Sequence, residues 1–172
     1  MLDIKPYIRD IPDFPQPGIL FRDITPLLRD PAAFNAALDQ MAGYVRSRSA
    51  DAIVGIESRG FLFGAPLAQR LALPFVPVRK PGKLPAAHMS VEYSLEYGNS
   101  QLDIHADALA RGERAIIVDD LLATGGSAHA AAKLIELLGA TVDSALFLLE
   151  LAPLGGRDEL AAYHVHSLVR YE

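Results

Sequence analysis

The chain has 172 residues, 51% of them apolar, a formal net charge of −5 and no cysteine. This length suits one domain with a substantial core, and the apolar fraction excludes a disordered chain. The negative balance argues against nucleic acid as the main partner, because that affinity rests on neutralising phosphates. Without cysteine there is no disulfide framework and no thiol catalysis.

Pro12, Pro15, Pro17 and Gly18 make the opening irregular. It lacks the basic-then-apolar pattern of a secretory signal, and no run of about 20 apolar residues follows. The expectation is a cytoplasmic protein with no membrane association. Asp30-Pro31 reads as a helix N-cap and first helical position, and Phe34, Ala37, Leu38, Met41, Tyr44 and Val45 follow at helical spacing. Ala52–Ile56 is a buried-type strand, Phe61–Leu71 a helix and Phe75–Val78 a strand. Between Arg79 and Asp107 the pattern changes, with Pro81, Gly82, Lys83 and Pro85 breaking regular structure. Val91–Tyr97 and Gln101–His105 alternate loosely, as a β-hairpin across Gly98-Asn99. An excursion of this length is usually a functional lid or disordered. Ala115–Val118, Ala145–Leu149 and Val165–Val169 are further strands. Strands alternating with helices imply a parallel α/β sheet whose ligands sit beyond the carboxyl ends of the strands.

The run Ala115–Leu138 carries the clearest chemistry. Its apolar strand ends in Asp119 and Asp120, followed by Ala123-Thr124-Gly125-Gly126-Ser127 and an amphipathic helical pattern that stops at Gly139. Glycines permit a tight turn and close backbone approach, and loop amides with a helix N-terminus favour an anion. Carboxylates beside such a cradle repel phosphate, so they serve another part of the ligand. As acceptors they suit two ribose hydroxyls, directly or through a hydrated magnesium ion. Phosphate on the loop and ribose on the acids describe a 5-phosphoribosyl group. Neither a Walker loop nor a dinucleotide fingerprint is present.

Glu57-Ser58-Arg59-Gly60, between a strand and a helix, offers a second anion site built on the planar Arg59 fork. One phosphate would not need it; phosphoribosyl diphosphate would. Arg79, Lys80 and Lys83 fall near the same edge and could offset a diphosphate's charge. Glu92 and Glu96 are equal candidates from the residues alone for a carboxylate in the excursion. Of the histidines, His164 and His166 read as structural, and His129 lies near the phosphate loop without an assigned task.

The 115–138 run resembles the signature of the type I phosphoribosyltransferases. PGILFRDITPLL, GIESRGFLFGAPLA, VPVRKPGKLP and YSLEYG narrow the resemblance to the family's adenine-using branch, over about Phe14 to Leu154. The resemblance implies a central, mostly parallel twisted sheet flanked by helices, with a small N-terminal hood over about residues 1–30 and a flexible β-hairpin lid over about 80–107, all in one domain. It implies transfer of the 5-phosphoribosyl group from phosphoribosyl diphosphate to adenine, giving AMP and diphosphate, with Mg²⁺ held mainly by ligand oxygens and no certain direct protein ligand. Glu96, Tyr97 and Arg59 are placed at the chemistry. Glu57, Ser58, Arg59, Arg79, Lys80 and Lys83 are placed at the diphosphate, and Leu20, Phe21, Arg22 and Leu121 at adenine. A non-proline cis peptide between Glu57 and Ser58 is implied, as is a homodimer in which a lid cation reaches across the interface. Ala86-Ala87-His88-Met89 is less polar than the family's lid. Two rivals stand beside this reading: a non-catalytic phosphoribosyl diphosphate sensor controlling transcription, and a xanthine or orotate phosphoribosyltransferase.

Overall fold

β-branched and leucine-rich runs too short for helices form the central sheet. A computed structural model describes residues 2–95 and 98–172, the side chains of 94–99 excepted. Two units are distinguished, Met1–Gln40 and Met41–Glu172. In the larger one β3 (Ala52–Ile56), β4 (Phe75–Val78), β7 (Arg114–Leu122), β8 (Thr141–Leu151) and β9 (His164–Tyr171) make a five-stranded sheet in the order β4-β3-β7-β8-β9. Every pairing in it is parallel. The anticipated parallel α/β sheet is thus present, with all five anticipated strands.

β7 occupies the centre, and Ala115–Val118 have no exposed surface. Its inward Ala115 and Ile117 join Val54, Ile56 and Phe147 in one cluster with Ala128, Ala131, Leu134 and Ile135 of α4 (Gly126–Leu137). The other flanking helix, α3 (Gly60–Leu71), packs on β3 and β7 and buries Phe63 and Leu67. Where β8 bulges opposite Ala115/Ile116, Asp143 receives Arg48 Nε at 2.7 Å and Arg114 Nη2 at 3.1 Å. His166 stacks on Tyr44 with ring centroids 4.4 Å apart, and burial pushes its pKa down, in keeping with a structural role.

β5 (His88–Leu95) and β6 (Gly98–His105) form the anticipated hairpin, but its turn is elsewhere. The ladder runs from His88↔His105 to Leu95↔Gly98, so Gly98 and Asn99 are strand residues rather than the turn. Only Glu96 and Tyr97 stand between the last paired residues, and these two lie outside the described residues. The register follows from burial: Leu102 and Ile104 are sunk in the core cluster, with Val91 and Tyr93 packed against it, and a one-residue slip would turn that face outward.

In the smaller unit, β1 (Arg9–Ile11) pairs antiparallel with β2 (Phe21–Asp23) where the sequence suggested only irregular chain. Proline and glycine masked this short ladder, and cross-strand charge holds it. Arg9 lies opposite Asp23 and pairs with it, and Arg22 lies opposite Asp10 and pairs with it. Asp23 also accepts the Thr25 N–H and hydroxyl at the start of α1 (Thr25–Arg29), and despite the opposing effect of burial its carboxyl stays below its ordinary value. Asp30 Oδ1 accepts the N–H groups of Ala32 and Ala33, both at 2.9 Å, capping α2 (Pro31–Arg46) as anticipated. Phe14-Pro15 is cis.

Ile117 sits in the middle strand with no exposed surface. Ile117→Ala should lower the unfolding free energy by about 2–5 kcal/mol, read by denaturant titration.

Candidate active site

The acids lie within β7, which continues to Leu122, and not in a turn after Val118. β8 runs alongside as far as Leu122↔Glu150, so the backbone of Asp119 and Asp120 remains extended. Extended backbone sends adjacent side chains to opposite faces. Here Asp119 Oδ1 folds back to accept the Asp120 N–H at 2.8 Å, while Asp120 Oδ2 receives Arg59 Nε at 2.6 Å. Burial, and next the Asp120 charge, push the Asp119 carboxyl well above the usual carboxylate range. Burial also raises Asp120, with Arg59 opposing the rise.

Arg59 reaches this position because α3 starts against the end of β7. A Cβ on Gly60 would meet the Val118 carbonyl oxygen at 2.8 Å and Asp119 Oδ1 at 2.9 Å, so only glycine allows the approach. The preceding Glu57-Ser58 peptide is cis, as the resemblance implied. The partner of Glu57 is Arg79, whose Nε stands 3.1 Å from Oε2, and the same oxygen accepts the Lys80 N–H at 2.9 Å. Burial alone would raise the Glu57 carboxyl; the Lys80 amide, Arg79 and Lys83 hold it below its ordinary value instead. Arg79 Nη1 also donates to the Lys83 carbonyl at 3.2 Å, so this guanidinium ties the 80–83 turn to the end of β3. Lys80 and Lys83 are both exposed.

Gly125, with φ +86°, caps α4 without a side-chain hydrogen bond, and no acid occupies the helix's first turn. No carboxylate of the helix's own first turn therefore competes for the leading N–H groups, and a helix start of this kind favours an anion. A cleft of about 210 Å³ is lined by Arg59, Asp119, Asp120, Leu121 and the loop from Ala123 to Ser127. A second, of about 290 Å³, is lined by Glu57, Ser58, Arg59, Lys80, Asp119 and Asp120. Arg59 and the two acids are common to both, so they stand between the 123–127 loop and the 57–58 turn with Lys80. Among the described residues no group of three or more His, Cys, Asp or Glu side chains is placed to hold a metal ion.

Of the residues anticipated from sequence, the structure gathers 57–59, Lys80 and 119–127 around these clefts. Leu20, Phe21 and Arg22 belong to the smaller unit. Leu20 is exposed, Phe21 is half-buried edge-on to Phe14 at 5.1 Å, and Arg22 is paired with Asp10. Glu96 and Tyr97 lie outside the described residues.

One supporting group escaped sequence reading. α5 (Gly156–Glu159) backs the 123–127 loop: a Cβ on Gly156 would meet the Ala123 carbonyl oxygen at 2.3 Å, and one on Gly125 would meet the Gly156 carbonyl oxygen at 2.7 Å. Arg157 fixes α5 through a two-pronged contact with buried Glu150, at 2.7 and 2.8 Å, and Ser167 donates to the same carboxylate at 2.7 Å. His129 pairs with Glu159 across the same junction. No motif marks these residues, because the loop's backing comes from a segment some thirty positions away.

The sequence profile of the phosphoribosyl transferase domain matches residues 24–164. An adenine phosphoribosyltransferase of Caldanaerobacter subterraneus is 57% identical over 169 residues, covering 98% of each chain. The crystal structure of the adenine phosphoribosyltransferase of Thermoanaerobacter pseudethanolicus superposes with a TM-score of 0.95 at 56% identity, again over 98% of each chain. That of Saccharomyces cerevisiae, complexed with an imino-altritol bisphosphate and adenine, gives 0.91 at 43% identity over 96% of each chain. The chain belongs to the phosphoribosyltransferases, and within them to the adenine phosphoribosyltransferases.

Burial opposes ionisation of Glu150, yet Arg157, Ser167 and Arg170 hold its carboxyl below the ordinary value. A depressed folded pKa contributes stability that is present above the unfolded value and lost as pH falls through the folded one. Glu150→Gln should therefore cost about 2 kcal/mol near neutral pH. The gap from the parent should shrink as pH drops below the ordinary glutamate range, which thermal melts across pH would follow.

Proposed function

We propose that the shared cleft binds phosphoribosyl diphosphate and that the chain transfers its 5-phosphoribosyl group to adenine N9, releasing diphosphate and leaving AMP. The observation that carries this reading is the position of Asp119, Asp120 and Arg59 between two anion-favouring surfaces. The relatives' names and the yeast complex, which holds a bisphosphate with adenine, support it.

Ala123 to Ser127 hold the 5′-phosphate through loop amides and the start of α4, with hydroxyl donors from Thr124 and Ser127. Asp119 and Asp120 accept from the ribose hydroxyls. Their carboxylates are ionised most readily once those donors arrive, because hydrogen bonds to a buried anion replace the lost water. Arg59 neutralises Asp120 and so lowers the repulsion that paired acids would exert on a diphosphate. The 57–59 turn, Lys80 and Lys83 receive the leaving group; Glu57 contributes by steadying Arg79 and the Lys80 amide. Leu20, Phe21, Arg22 and Leu121 are assigned to adenine.

Glu96 and Tyr97 are assigned by resemblance alone: a carboxylate there would stabilise positive charge on the sugar ring as the anomeric bond breaks. Exclusion of water protects that centre from hydrolysis. The residues suit magnesium as this ion is usually bound, by one or two carboxylates and substrate oxygens rather than by a protein cage. Asp119 and Asp120 would hold it through water, and when bound it offsets diphosphate charge. A homodimer with a lid cation crossing the interface belongs to the same reading.

With phosphoribosyl diphosphate present, steady-state turnover should be found with adenine and be far lower with hypoxanthine, guanine, xanthine and orotate. Equal or greater turnover with any oxopurine or orotate would overturn the substrate assignment. Asp119→Asn should lower kcat/KM for phosphoribosyl diphosphate about 10- to 100-fold, the scale of one charge-assisted hydrogen bond. An unchanged value would remove Asp119 from the ribose site.

A further inference from the structure

We propose that the Tyr93 phenol is a positioning residue for the phosphate loop, setting the hydroxyl rotor of Ser127. This rests on the reading that the 123–127 loop holds the 5′-phosphate. Ser127 Oγ stands 3.2 Å from Tyr93 Oη, a contact between residues 34 positions apart. Tyr93 is on β5, opposite Ser100 in the hairpin ladder, and its half-buried ring packs against the core cluster that contains α4. The ring is thereby braced by the hairpin and the helix, while its oxygen faces the second residue of α4. A cleft of about 500 Å³ lined by Tyr93, Glu92, His129, Lys133 and Glu159 shares Thr124 and Gly126 with the phosphate loop but does not include Asp119 or Asp120. Tyr93 thus borders the loop on a side that the ribose contacts leave open.

The chemistry of the pair follows from its donors and acceptors. A serine hydroxyl carries one rotatable proton and two lone pairs, and a phenol can donate or accept. In the structure the Ser127 hydroxyl donates to Tyr93. A phosphate oxygen at the loop can only accept, so the Ser127 proton must turn toward it. The lone pair that Ser127 then directs at β5 is met by the phenol O–H, which reverses its role. Tyrosine satisfies Ser127 in both states; phenylalanine satisfies it in neither and leaves the rotor free. The pair therefore acts on binding of the phosphorylated sugar and not on binding of the base.

The test is a cycle of Tyr93→Phe, Ser127→Ala and the double variant, with KM for each substrate, kcat and thermal midpoint measured. Tyr93→Phe should raise KM for phosphoribosyl diphosphate about 3- to 10-fold, leave KM for adenine and kcat within about twofold, and keep the midpoint within about 2 °C. Ser127→Ala should raise the same KM at least as much, and the double variant should be no worse than Ser127→Ala. An unchanged KM in Tyr93→Phe would overturn the inference, as would penalties that multiply in the double variant or an equal rise in KM for adenine. If Ser127→Ala alone left KM for phosphoribosyl diphosphate unchanged, the phosphate-loop reading would fall and this inference with it. A shift in Ser127→Ala without one in Tyr93→Phe would sink the inference alone.

Discussion

The contact on which the site depends is the 2.6 Å pair between Arg59 and buried Asp120. Two neighbouring carboxylates at the end of a central strand repel each other and lose hydration, and one guanidinium offsets only part of that. Arg59 can supply it because Gly60 lets α3 begin against the Val118 carbonyl, closer than any side chain would permit. The sheet, the first turn of α3 and the acids are thus one arrangement. Its electrostatic deficit is the feature on which the proposed binding of a phosphorylated sugar rests.

A second set of ion pairs supports the site without touching it. Glu57 anchors Arg79 and the Lys80 amide, which shapes the 80–83 turn. Glu150 anchors Arg157, which holds α5 behind Ala123 and Gly125. Both carboxyls are held below their ordinary values in spite of burial, unlike Asp119 and Asp120. The contrast separates two kinds of acid. Glu57 and Glu150 have partners enough to outweigh their burial, whereas Asp119 and Asp120 share one guanidinium and lie side by side in a cleft. Elevated carboxyls in a cleft are a recognised mark of functional sites.

The sheet was legible in the sequence because a strand buried on both faces reads as a short unbroken apolar run, and Ala52–Ile56 and Ala115–Val118 read so. The 123–127 loop was legible because its glycines, hydroxyls and helix start lie contiguously in the sequence. Less legible was whatever depended on a partner far along the chain. Propensity placed the hairpin turn at Gly98-Asn99; packing of Leu102 and Ile104 into the core sets a register in which Gly98 and Asn99 are paired strand residues. The short β1–β2 ladder escaped notice because prolines hide it and its pairing rests on Arg9–Asp23 and Arg22–Asp10. Arg59, read from the sequence as the fork of an anion site, also meets Asp120, a pairing that no local spacing announces.

Local chemistry alone, then, determined the order along the chain of the main sheet's strands and its flanking helices, the acids, the glycine loop and the basic residues that follow β4. Only the tertiary structure decided which charges neutralise one another and what stands behind the loop. The reason is that ion pairing and close packing act between surfaces brought together by folding, and distance along the chain carries no record of them.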